Sequence, residues 1–191
     1  LIDVNGKPLT TDAVEAEYNV TTSDLFLFNY PLRNEPNFLL NLAPANGQPV
    51  SPSNPGAVNV PGGIGTNQSI VAFSAICQHL GCPAPALAYY APGTCSKTFN
   101  NGQGFYFHCS CHGSTYDPAN AASNLTGPAV LPLPQVILIA DDHHNIFATG
   151  LTPSSPPVNG HLNSLQGDYG VGSTSQLVRE PAPQPLCSFP S

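Results

Sequence analysis

Two short stretches hold the side chains best suited to bind a metal: Cys77-Gln78-His79-Leu80-Gly81-Cys82 and, further along, Cys109-Ser110-Cys111-His112-Gly113-Ser114. Each offers a thiol and an imidazole, spaced C-x-H in the first and C-x-x-H in the second, and each carries one further cysteine. Two thiolates and two imidazoles can hold tetrahedral zinc, or a [2Fe-2S] cluster with cysteines on one iron and histidines on the other. A zinc finger has no use for a third and fourth thiol at fixed places beside its ligands. Two loops clamped over an exposed cluster do gain from a disulfide that joins them.

The joint pattern resembles the Rieske iron-sulfur proteins. That resemblance implies one [2Fe-2S] cluster per chain, with Cys77 and Cys109 on the inner, buried iron and His79 and His112 on the outer iron near the surface. It implies a disulfide between Cys82 and Cys111. Ser114 and Tyr116, in Gly-Ser-Thr-Tyr-Asp, match the family's hydroxyl donors, the serine to a bridging sulfide and the tyrosine to the sulfur of Cys77. Replacing two anionic thiolates by neutral imidazoles moves the potential from about −400 mV to about −150 to +300 mV, and hydrogen bonds to sulfur push it the same way. Rieske ferredoxins and ring-hydroxylating oxygenases usually lack the loop cysteines and the paired hydroxyls. The chain therefore resembles the high-potential respiratory branch of cytochrome bc-type or archaeal terminal-oxidase complexes.

What the branch implies is a redox subunit rather than a stand-alone enzyme. It takes an electron, with a proton, from membrane quinol and passes it to a b-type, c-type or other haem acceptor, with His79 and His112 as the groups that meet the quinol. Two rival readings stay open on the residues: the Rieske subunit of an extracytoplasmic oxidoreductase such as arsenite oxidase, and a non-redox zinc protein. Respiratory members usually carry an N-terminal membrane anchor. The expected location is thus the extracytoplasmic face of the cell membrane, with the anchoring segment absent from this chain, which begins at Leu1 and has no run of about 18 apolar residues.

Composition narrows the field further. Only 8% of the 191 residues are charged, against about 25% ordinarily. With four Lys and Arg and a net charge of −7, the chain lacks the clustered cations that nucleic acid demands. So few cations leave little self-repulsion once acid neutralises the carboxylates, which suits an acidic environment. Cys95 and Cys187 remain after the assignments above, and pairing them leaves no free thiol; disulfides in this number indicate an oxidising compartment or a hyperthermophile's interior.

These loops need rigid elements to carry them. No sustained helical period appears, and 22 prolines and 17 glycines punctuate the chain, which predicts an all-β fold. Candidate strands are residues 25–30, 37–42, 70–76, 104–108 and 135–140, the last turning at Asp141 to His144 and returning over 145–149. Strand 70–76 feeds the first loop and strand 104–108 the second. The family's architecture implies an antiparallel sandwich base from residues 1–74 and 135–191, with a cluster-binding subdomain inserted at 75–134. Two stretches depart from the family. Twenty-six residues separate Cys82 from Cys109, so Pro83 to Phe99 reads as an insertion packed beside the cluster, and the covering loop Gly127-Pro128-Ala129-Val130 lacks the usual second proline. Leu80 and Leu131 are candidates for an apolar rim. His108, next to Cys109, falls on the opposite side of its strand.

Overall fold

A computed structural model describes residues 1–3, 5–17, 25–31, 35–42, 63–95, 104–152 and 178–180. Among these, short apolar runs bounded by proline, glycine and asparagine become strands: β1 (Leu25–Asn29), β2 (Pro36–Asn41), β3 (Ile70–Ser74), β4 (Leu87–Tyr90), β5 (Tyr106–Cys109), β6 (Thr115–Asp117), β7 (Ser123–Thr126), β8 (Gln135–Ala140), β9 (Ile146–Thr152) and β10 (Val178–Glu180). They form two antiparallel sheets, one of six strands in the order β10-β1-β2-β3-β8-β9 and one of four in the order β4-β5-β6-β7.

β3 is buried at every position, and an unbroken apolar run of this kind needs cover on both faces of its sheet. Alternation along β2 and β3 sends Phe38, Leu40, Val71 and Phe73 one way and Leu39, Ile70 and Ala72 the other. The first face meets the four-stranded sheet. Phe107 of β5 stacks on Phe38 at 4.9 Å between centroids and sets its edge against Phe73 and Tyr89 at 6.0 and 5.8 Å. Each such ring pair stabilises by about 0.5–1.5 kcal/mol beyond the area it buries. The second face is covered by Leu9 and by Val14 of a short helix, α1 (Thr11–Glu17), whose start is capped by the Thr10 hydroxyl accepting the Ala13 N–H at 3.2 Å.

The hairpin over residues 135–152 forms with its turn at Asp141 to His144. Its carboxylate Asp141 accepts the N–H groups of His143 and Asn145 at 2.9 and 2.8 Å, which holds His144 in the left-handed region at φ 65°. Two elements differ from the sequence reading. The stretch from Pro83 is no appendage: residues 87–90 form β4, wholly buried, with Leu87 paired to Cys109 and Tyr89 to Phe107. Leu87 and Tyr89 point into the core between the sheets, while Ala88 and Tyr90 face outward with Tyr106, so the run carries two apolar faces. Helix α1 escapes a periodicity test because it is only seven residues long.

Candidate metal centre

β3 and β5 deliver two loops with the same backbone frame. In the first, the Cys77 N–H bonds to the Cys82 carbonyl at 2.9 Å and the Gly81 N–H returns to the Cys77 carbonyl at 3.0 Å. In the second, the Cys109 N–H bonds to the Ser114 carbonyl at 2.8 Å and the Gly113 N–H returns to the Cys109 carbonyl at 2.9 Å. The fifth residue of each frame sits at φ 81° or 85°, a conformation that glycine adopts without a steric cost. That is the physical reason both motifs run Cys-x-x-x-Gly. A disulfide between Cys82 and Cys111 ties the two loops together across a sequence separation of 29.

Cys77 and Cys109 are buried at the floor of the loops, within the core between the sheets. Their sulfurs are hydrogen-bonded to each other. Cys77 is pushed down to about 5, first by the bond from Cys109 and further by Tyr116, the His79 N–H and Ser114, against the opposing effect of burial. Cys109 is pushed up, first by that same shared proton and then by burial. One proton between two sulfurs is the arrangement that a metal ion replaces, since the thiolate is the ligand form. The Cys82 and Cys111 sulfurs lie within 4.8 Å of that of Cys109, but while bonded to one another they have no thiolate to give.

Two hydroxyls close on Cys77. Tyr116 Oη stands 3.2 Å from its sulfur and accepts the Gln78 N–H at 3.0 Å, so the phenolic proton is left to point at sulfur. Burial first, then the bond to Cys77, raises the Tyr116 pKa and keeps that proton in place. The Ser114 hydroxyl accepts the Ala129 N–H at 3.1 Å and lowers the Cys77 pKa by hydrogen bonding, so here it acts on the Cys77 side, whereas the resemblance directs it to a bridging sulfide.

The imidazoles lie on the outer side. His79 is half-buried and His112 exposed, with ring centroids 4.7 Å apart and planes at 87°. His79 Nδ1 is buried and has no hydrogen-bond partner among the described residues. A buried polar atom left alone costs about 1–3 kcal/mol, and a ring nitrogen with a free lone pair in this place fits a metal ligand. Leu80 (69% exposed), next to His79 in the chain, and Val130 (84%) and Leu131 (42%), just after Ala129, are exposed apolar side chains and the candidates for an apolar rim. Residues 64–95, 104–116 and 118–140 contain no Asp, Glu, Lys or Arg, so the rim is also free of formal charge.

The structure thus gathers Cys77, His79, Cys82, Cys109, Cys111, His112, Ser114 and Tyr116 in one place. His108 is elsewhere: it sits on the outward face of β5, its Nδ1 at 3.0 Å from Thr115 Oγ1 and its ring at 5.7 Å from Tyr90. Cys95 is disulfide-bonded, while Cys187, the partner expected for it, lies outside the described residues. Two contributors carry no side-chain signal, the Gln78 and Ala129 amides, which are backbone groups; Gly127 belongs to the covering loop that the resemblance marked, but its approach to Ser114, thirteen positions away, shows only in the fold.

Sulfur donors on the buried side and nitrogen donors on the exposed side define a class, the iron-sulfur proteins with mixed cysteine and histidine ligation. A family model described as the Rieske [2Fe-2S] domain matches residues 56–148. The crystal structure of the soluble domain of the Rieske protein II (soxF) from Sulfolobus acidocaldarius is similar with a TM-score of 0.57 and 30% identity, covering 83% of this chain and 84% of that one. The cytochrome bc1 complex Rieske iron-sulfur subunit of Streptomyces lividans is 34% identical over 85 residues, 44% of this chain and 42% of that protein. The ubiquinol-cytochrome c reductase iron-sulfur subunit of Allochromatium vinosum is 33% identical over 67 residues, 35% of this chain and 30% of that protein. The matched part is less than half the length of either relative. The chain belongs to the Rieske [2Fe-2S] family and is an iron-sulfur electron-transfer protein.

Proposed function

We propose that this chain carries single electrons at high potential, taking each with a proton from membrane quinol and passing it to a cytochrome partner. The observation that carries the reading is the pair of hydroxyls on Cys77, from Tyr116 and Ser114, set beside loops locked by the Cys82–Cys111 disulfide. Cys77 and Cys109 would hold the inner iron, and His79 and His112 the outer one. When bound, the [2Fe-2S] cluster supplies a site that gains and loses one electron.

The residues do the rest. Hydrogen bonds from Tyr116 and Ser114 withdraw electron density from sulfur and favour the reduced state. His79 would offer iron its buried Nδ1, which leaves Nε2 on the outer side; with its own proton given up, that nitrogen accepts a hydrogen bond and then a proton from the quinol hydroxyl. The uncharged rim of Leu80, Val130 and Leu131 suits an apolar quinone pocket and excludes water from the exchange. The names of the Streptomyces and Allochromatium relatives support a cytochrome-complex setting for the chain. The disulfides support an oxidising compartment and with it the extracytoplasmic face of the membrane. Among the described residues no helix is long and apolar enough to cross a membrane.

Ser114→Ala and His112→Ala test the assignment. The serine variant is expected to keep its cluster at a lower potential, and the histidine variant to lose the cluster's colour and iron. An unchanged potential in the first, or a full complement of iron in the second, contradicts it.

A further inference from the structure

Gly127 follows β7 at φ 86° and runs against the second loop. A Cβ built there stands 2.5 Å from the Ser114 Cα, 2.6 Å from the Ser114 nitrogen and 2.6 Å from the Gly113 carbonyl oxygen. All three are backbone atoms, which have no rotamer by which to give way. Two residues on, the Ala129 N–H reaches the Ser114 hydroxyl oxygen at 3.1 Å in a buried contact.

We propose that the segment from Gly127 to Ala129 is a positioning element for the redox centre, in which the Ala129 N–H, admitted by the bare Cα of Gly127, aims the Ser114 hydroxyl at sulfur. A serine hydroxyl has one proton and two lone pairs, and its rotor is otherwise free to turn. Once one lone pair takes the amide proton, the O–H points away from Ala129, toward Cys77. The two bonds also run in series, N–H to O–H to sulfur, so the first polarises the second and strengthens it by about 10–30%. The potential therefore depends on a backbone amide that touches neither iron ligand.

The inference rests on the reading of Ser114 as a donor to sulfur, and its test separates the two. Redox titrations are made on the wild type, Ser114→Ala, Gly127→Ala and the double variant, all loaded with cluster. The expected result is a lower potential in Gly127→Ala, and no further drop when Gly127→Ala is added to Ser114→Ala, because both break one relay. Equal potentials in the wild type and Gly127→Ala, with Ser114→Ala low, overturn the positioning role alone. Additive drops do the same, since they show that Gly127 acts by another route. A Ser114→Ala variant at wild-type potential overturns the donor reading and this inference with it. Should Gly127→Ala fail to fold, hydrogen exchange at the Ala129 amide decides: about 2- to 12-fold faster exchange in Ser114→Ala than in the wild type is expected for one lost bond, and equal rates overturn the relay.

Discussion

Tyr116 shows at the scale of one side chain how a hydrogen-bond count becomes a redox property. Its oxygen takes the Gln78 N–H, and its proton is thereby committed to the Cys77 sulfur. Tyr116→Phe removes both bonds at once. The variant is expected to have a lower potential and, because the buried bond from the Gln78 N–H to the tyrosine oxygen is lost, to be about 1–3 kcal/mol less stable to denaturant. Stability lost without a change in potential would place Tyr116 in a packing role only. The side chains of the centre are legible in the sequence because the C-x-H and C-x-x-H spacings are local and carry the family resemblance, and it is that resemblance that implies the loop disulfide and the roles of Ser114 and Tyr116. The amides of Gln78 and Ala129 are not, since every residue but proline has an N–H and only the folded register says where it points.

The two loops act as one element only when joined. Each is closed by its own pair of backbone bonds; between them run the hydrogen bonds that converge on Cys77 and, as the one covalent tie among the described residues, the Cys82–Cys111 disulfide. Closing a loop with a sequence separation of 29, the bond stabilises the folded chain by about 3–4 kcal/mol through the entropy it removes from the unfolded chain. Cys82→Ser combined with Cys111→Ser is therefore expected to lose that much in denaturant titration and to release iron faster. An unchanged midpoint and release rate would show the loops to be held by other means. Strands β3 and β8 are plain in the sequence because their apolar runs are long. Leu87–Tyr90 is harder to read: its four residues are apolar on both sides, and only the pairing with Tyr106–Cys109 makes them a strand of the sheet rather than an insertion. β6 and β7 are short and partly polar, and their place is likewise fixed by neighbours.

Among the described residues, one charged contact stands at the end of the base away from the metal centre. β3 runs toward the metal centre and β8 away from it, so the turn at Asp141 to His144 stands at the far pole. There His144 Nδ1 meets Asp12 of α1 at 2.7 Å, both side chains exposed. The bond with Asp12, and then that carboxylate's charge, raise the His144 pKa. A raised histidine pKa adds stability that is fully present below the unfolded value of 6.5 and is lost as pH rises through the higher folded value. The melting temperature of His144→Gln should thus fall short of the wild type in mild acid and converge with it in base. A gap that widens with pH would refute the contact. The low total charge, readable from composition, does not reveal this contact, because it arises from where the hairpin turn lands against α1.

An EPR-monitored redox titration of the purified protein over a wide pH range tests the central claim most directly. Expected are a reduced [2Fe-2S] signal, a potential within the range of about −150 to +300 mV that histidine ligation opens, and a fall in that potential as pH rises, as a proton-coupled electron uptake requires. A pH-independent potential near about −400 mV would contradict the proton-coupled, high-potential role, and the absence of any such signal would contradict the centre itself.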